Sequence, residues 1–214
     1  MTDPLIKLTA AQPSPKWYAG LMTGTVLDGN IDVAFLRTDG VEIAEFGGFD
    51  LVPYSQEIRD LLGRTLDAAL KWNFTGPEPA LFAEAERRLS LAQTDAVISL
   101  ASKQGLPLSS IAAVGFHGQT VLHRAPTEYE NGRTCQLGDG KLMSSHLRRP
   151  VVFDWRSDDV AAGGNGAPLC ASYHAALLDH TGAGADAAVL NMGGVANLSW
   201  KSADNRLIAF DTGP

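Results

Sequence analysis

Between residues 17 and 70 the spacing of apolar side chains changes period, and no other feature constrains the fold as strongly. Residues 17–22, 31–36 and 41–52 are short apolar runs, separated by a polar loop running from Thr23 to Asn30 and by an Asp39-Gly40 turn. Runs of this length between such turns read as strands, and Asp-Gly is the strongest short hairpin signal in the chain. The opening is therefore expected to be a meander of three antiparallel strands. From Ser55 the rhythm shifts: Ile58, Leu61, Leu62, Leu66, Ala69 and Leu70 recur every three or four positions. That is the stripe of an amphipathic helix, with Ser55 as its N-cap. A second and longest stripe follows Pro79 through Leu81, Ala85, Leu89, Ala92, Ala96 and Leu100, and stops at Gly105.

Strand patterns then return. Residues 111–116 form an unbroken apolar run, expected to be a strand covered on both faces, with His117-Gly118-Gln119 at its end. Residues 151–153 repeat the arrangement and lead into Asp154, Arg156, Asp158 and Asp159, then Gly163-Gly164-Asn165-Gly166. Residues 171–178 read as helix, 179–185 as a glycine-rich connection, and 187–192 as another buried strand before Gly193-Gly194. A last strand runs from Leu207 into Asp211. The strand, glycine turn and strand of the opening thus recur near Val189, suggesting two related halves facing a cleft. The expected organisation is an arm over residues 1–16, an α/β domain over 17–185, and over 186–214 the start of a second domain. That start has two strands and no covering helix, so the end of the chain is expected to expose an unfinished sheet.

Composition narrows the partners. The 214 residues carry 17 basic and 24 acidic side chains, a formal net charge of −7. Such a balance offers no footprint for nonspecific nucleic-acid binding. Cys135 and Cys170 stand far apart, without zinc-like or disulfide-framework spacing, which suits reduced thiols in a cytoplasm. No window approaches the roughly 18 apolar residues of a bilayer span, so no membrane partner is expected. A small-molecule ligand fits best.

Open α/β sheets build ligand sites at the carboxyl ends of their strands, and the chemistry-bearing residues fall there. The loop from Gly24 to Gly29 offers backbone N–H groups, the Thr25 hydroxyl and the Asp28 carboxylate; it could cradle phosphate while Asp28 holds Mg²⁺. An ordinary hairpin turn is the alternative. Gly193-Gly194 with Asn197 is a second candidate phosphate loop. Asp211 is a carboxylate on a strand, suited to general-base work or metal binding, or else to capping the next turn. His117 and Gln119 flank Gly118, where a histidine can donate to a sugar hydroxyl or be purely structural. Arg156 and Asp159 read by default as an exposed ion pair. His123, His146, His174 and His180 lack ligand spacing and read as structural or solvated.

Six strings in order carry a resemblance: GLMTGTVLDGNIDVA (20–34), GFHGQTVLH (115–123), QLGDG (136–140), VVFDWRSDDVAAGGNGAPL (151–169), LNMGGVANL (190–198) and FDTGP (210–214). Together they resemble the anhydro-N-acetylmuramic acid kinase family, of the actin-like sugar-kinase superfamily with its ribonuclease H-like domains. The resemblance implies an ATP-dependent reaction in which 1,6-anhydro-N-acetylmuramate, ATP and water give N-acetylmuramate 6-phosphate and ADP, in peptidoglycan recycling. It places the general base on Asp211. The ATP signature maps to Gly24, Thr25, Val26, Leu27, Asp28, Gly29, Asn30, Ile31 and Asp32, with Gly193, Gly194 and Asn197 as the second phosphate loop. His117, Gln119, Arg156 and Asp159 would line the sugar side, and the full-length family is usually dimeric. Thr23 and Val26 stand where serines are usual, Asn30 looks like an extra residue, and Asn165 replaces a glutamine. A nucleotide-binding or regulatory module of the same fold, or an inactive fragment, is the competing expectation.

Overall fold

Antiparallel pairing builds one side of the main sheet and parallel pairing the other. The computed structural model describes residues 14–23, 28–183, 187–204 and 206–213. Strands β1 (Lys16–Met22), β2 (Asn30–Thr38) and β3 (Ile43–Pro53) form the expected meander, with Met22 opposite Asp32 and Asp32 opposite Leu51. The chain then crosses over through α1 (Gln56–Trp72) and α2 (Leu81–Lys103), which lets β4 (Ile111–Phe116) lie parallel to β1. A parallel neighbour requires such a crossover, since no tight turn can reverse the chain twice.

The Ser55 hydroxyl accepts from the Ile58 N–H at 3.3 Å, so the cap forms as read. Leu61, Leu62 and Ala69 face the core of the domain, where each large side chain contributes about 2 kcal/mol by leaving water. Leu70, assigned to that stripe, is instead 60% exposed; one position beyond Ala69 turns it about 100° round the helix. The buried place falls to Thr65, whose hydroxyl returns to the Leu61 carbonyl at 2.7 Å. In α2, the buried line runs through Ala85, Leu89, Ala96 and Leu100, and the helix stops two residues before Gly105.

After β4 the chain makes a hairpin of β5 (Gln119–Arg124) and β6 (Arg133–Leu137), then α3 (Gly140–Leu147), β7 (Val151–Phe153) and α4 (Trp155–Ala161). β7 pairs in parallel with β4, completing the order β3-β2-β1-β4-β7. One face of this sheet carries Ala19, Leu21, Ile31, Val33, Phe35, Val114 and Phe116 into a single apolar cluster with α1, α2 and α3. The other face is open: Phe49 is 76% exposed, and Ala113 and Gly115 of β4 are only half-buried. β4 is therefore covered fully on one face, not on both as its apolar run implies, because the helices between its neighbours all lie on the same side.

Helix α5 (Ala171–His180) runs two residues beyond the expected 171–178 and packs against a second sheet of β8 (Ala188–Asn191), β9 (Ala196–Lys201) and β10 (Leu207–Gly213), in the order β10-β9-β8. This sheet has three strands and a helix on one face, where two strands and no helix were expected. The expected burial of residues 187–192 also fails: three of the four β8 residues are exposed and Met192 is 81% exposed. β8 is an edge strand, and α5 lies on the face that carries Asn197 and Ser199, away from Ala188 and Leu190. No helix among the described residues is long and apolar enough to cross a membrane.

Candidate functional site

The end of β1 and the start of β2 form one cluster. Gly24, Thr25, Val26 and Leu27 lie outside the described residues. Thr23, just before them, is buried, and its hydroxyl donates to the Gly118 carbonyl at 2.7 Å, tying the β1 end to the β4 end. Asp28 accepts from the Asn30 N–H at 2.9 Å, and the Gly29 carbonyl accepts from the Tyr54 N–H at 2.9 Å. Ile31 points into the core, so only its backbone is available to a ligand. Asp32 has its pKa raised by burial and by the charge of Asp28. Beneath them Tyr54 is buried and accepts from Gln93 Nε2 at 2.7 Å; burial, with smaller contributions from Asp28 and Asp32, pushes its hydroxyl well above the usual phenol range. Two mutually repelling carboxylates are a hard oxygen donor set of the kind divalent cations prefer. Tyr54 and Gln93 carried no sequence signal, since one precedes a helix and the other sits inside an apolar helix stripe.

Sugar-side candidates gather around the β4–β5 corner and α4. His117 N–H reaches Leu21 O at 3.4 Å, and its Nδ1 lies 2.8 Å from Gly118 O. Burial, then the nearby Arg156 charge, lowers the His117 pKa against an opposing Gly118 hydrogen bond. Gln119 is 0% exposed, with Nε2 donating to Thr120 O at 3.2 Å. Arg156 is 9% exposed; Nε donates to Gly166 O at 2.7 Å and Nη1 to Thr120 Oγ1 at 2.6 Å. Thr120 in turn donates to Gln136 Oε1 at 2.7 Å. Asp159 accepts from the Gly166 N–H at 2.7 Å.

The exposed ion pair read for Arg156 and Asp159 is thus absent. Three residues apart on α4, they share a helix face and grip one residue, Gly166, by its carbonyl and its amide. Gly166 itself has φ +71°, and a Cβ there would sit 2.8 Å from Val160 Cγ2. Only glycine follows that path without strain.

The second sheet supplies Asp211 and Asn197 as a direct pair across β10 and β9, with Asn191 next in the row on β8. Directly opposed residues project to the same face. Gly193 and Gly194 occupy the exposed turn between β8 and β9. The α5 end reaches the row through Cys170, whose Sγ lies 3.9 Å from Asn197 Oδ1. His174, one turn on, meets Ser199 Oγ at 2.8 Å and is structural, as read. Asp211 also acts beyond its own sheet: its charge raises the pKa of His123 and Arg156, opposing their burial, and adds to the burial that raises Cys170.

Asp211, Asn197 and Arg156 therefore belong to one neighbourhood, together with Thr120 and Cys170, which carried no site signal, and His123, which reads from the sequence as structural or solvated. The Asp28–Asp32 cluster is joined to it through the Thr23–Gly118 bond. Among the described residues no group of three or more His, Cys, Asp or Glu side chains is arranged to hold a metal. A groove of about 490 Å³ lined by Trp72, Phe74, Arg133, Cys135 and Ser157 contains none of these residues and lies elsewhere.

Residues 16–214 match the profile of the family described as anhydro-N-acetylmuramic acid kinase. Proteins of that name from Rhizobium rhizogenes and Mesorhizobium japonicum are 58% and 56% identical over 200 residues, 94% of this chain and 54% of each relative. Another from Caulobacter vibrioides is 47% identical over 195 residues, 91% of this chain and 52% of that protein. The chain spans about half the length of the curated relatives it matches. A solved reductive activator for a corrinoid, iron-sulfur protein is similar at a TM-score of 0.43 and 10% identity, covering 96% of this chain and 32% of that one. The chain belongs to the anhydro-N-acetylmuramic acid kinase family.

Proposed function

We propose that this chain carries the sugar side and the general base of an ATP-dependent kinase acting on 1,6-anhydro-N-acetylmuramic acid. The product is N-acetylmuramic acid 6-phosphate, and the setting is peptidoglycan recycling in the cytoplasm. The fold is read as actin-like, with residues 17–185 as the first domain and 186–214 opening the second. A mixed sheet with α1, α2 and α3 packed on one face, followed by a separate three-stranded sheet, supports that reading. The observation that carries the function is the setting of Asp211: on a strand, opposite Asn197, with its charge acting on Arg156 of α4 and His123 of β5.

Asp211 takes a proton from a water whose oxygen bonds to the anomeric carbon. The bond from that carbon to O6 breaks, and O6 bonds to the γ-phosphorus as ADP leaves. Glycosidases commonly need a second carboxylate to protonate the leaving oxygen. Here phosphorus captures it, so one carboxylate suffices. Arg156, with its fork already held by Gly166 and Thr120, would face the lactyl carboxylate of the sugar. His117, Gln119 and Asp159 keep the corner and the loop in place around it. The glycine loop of residues 24–29 and the turn of Gly193 and Gly194 would cradle the phosphates, with Ile31 contributing backbone only. Asp28, beside Asp32, would hold Mg²⁺, which neutralises phosphate charge when bound. The active form is read as a homodimer.

Asp211→Asn in the full-length protein tests this. General-base loss is expected to lower kcat about 10²- to 10⁴-fold, with ATP affinity within about threefold of wild type, since most phosphate contacts are elsewhere. In heavy-oxygen water the wild type should place the label at C1. Wild-type turnover by the variant, or label absent from C1, would refute the mechanism. ATP binding without sugar turnover in the wild type would instead identify a nucleotide-binding module.

A further inference from the structure

We propose that His123 is a saccharide-binding residue, donating a hydrogen bond from Nε2 to an oxygen of the bound sugar. The inference rests on the sugar-kinase reading above and adds a residue to its substrate side. His123 follows the four buried positions 119–122 on β5 and stands opposite Thr134 of β6. Its Nδ1 is buried and has no hydrogen-bond partner among the described residues. The residue is only half-buried, and Nδ1 but not Nε2 is among its enclosed unpartnered atoms, which leaves the Nε2 edge accessible. The ring lies beside the loop held by the proposed sugar-side pair: a Cβ built on Gly166 would lie 3.3 Å from His123 Cε1, the carbon between the two nitrogens.

Buried N–H groups without partners are rarer than buried acceptors without them. A neutral imidazole carries one N–H and one lone pair. The lone pair therefore belongs on the enclosed Nδ1 and the proton on Nε2. Two charges act on the ring, Arg156 and Asp211. Burial and then Arg156 hold its pKa below the usual histidine range, while Asp211 opposes them. The net shift favours the neutral ring. A neutral donor can orient a sugar oxygen beside Asp211 without neutralising the carboxylate that must accept a proton.

The test compares His123→Gln, His123→Asn and His123→Ala in the full-length enzyme. A glutamine amide reaches the Nε2 position, whereas asparagine reaches only Nδ1. Losing one neutral hydrogen bond is expected to raise KM for the anhydro-sugar about three- to tenfold in the Asn and Ala variants. KM for ATP should not change, and the Gln variant should keep most of the wild-type KM for the sugar. Without ATP, ¹⁵N-histidine NMR of the same protein should show Nδ1 unprotonated and the Nε2–H resonance moving on addition of the anhydro-sugar. A protonated Nδ1, a glutamine variant as poor as alanine, or an alanine variant equal to wild type would overturn the assignment. The NMR readouts need no turnover, so they separate a failure of this proposal from a failure of the Asp211 mechanism.

Discussion

Gly118→Ala addresses the joint that holds the two halves of the site together. Gly118 has φ +68°, and a Cβ built on it would lie 2.4 Å from Leu137 O and 3.2 Å from Leu137 C. The left-handed backbone alone costs an alanine about 1–2 kcal/mol. Overpacking against atoms that cannot rotate away adds about 1–3 kcal/mol, because the obstacle is backbone and Leu137 is locked opposite Gln119 in the β5–β6 ladder. The sum is about 2–5 kcal/mol, which for a domain of this size lowers Tm by roughly 5–20 °C. Gly63→Ala is the matched control: it lies inside α1 with nothing within 4 Å of a built Cβ, and should raise stability by about 0.5–1 kcal/mol. Thermal and denaturant unfolding followed by circular dichroism read both variants. A Gly118→Ala protein melting within about 2 °C of wild type, while Gly63→Ala behaves as stated, would refute the geometry of this corner.

Arg156→Lys should leave a single ammonium where a fork now reaches both Gly166 O and Thr120 Oγ1. One buried acceptor then lacks a partner, a loss of about 1–3 kcal/mol in stability, and KM for the sugar should rise while KM for ATP holds; unchanged melting would argue against the clamp. Stability should also fall as pH drops below about 6.5, the ordinary histidine value. His117, His123 and His174 all have folded-state pKa values lowered, chiefly by burial. The unfolded chain therefore binds protons that the folded chain refuses, and stability rises with pH across that window. Asp39, Asp50, Glu57 and Asp204, lowered by their hydrogen bonds, act only at more acidic pH. Urea unfolding at pH 7.5 and 5.5 checks the sign; equal or greater stability at the lower pH would contradict it.

Much of the framework is legible in the sequence. The β1–β3 meander, the Ser55 cap, both long helices and the strands β4, β7 and β10 follow from periodicity and turn chemistry, because those signals are local. The six motifs in order were likewise enough to point to the family. The β5–β6 hairpin, α3 and α4 went unread, since elements of five to eight residues span too few periods to declare themselves. Burial of residues 187–192 was misread for a different reason. An apolar run says that a strand could be covered, but whether a helix lies over it depends on where α5 docks.

The site divides the same way. Which residue types could handle phosphate, sugar or a proton was legible from Asp28, Arg156 and Asp211 and their neighbours. That Arg156 and Asp159 share Gly166 rather than each other, that Asp211 faces Arg156 and His123 from a separate sheet, and that His123 hides one ring nitrogen were not. Contacts between residues tens of positions apart depend on how the two sheets approach, and a one-dimensional pattern carries local periodicity but no distances across a gap.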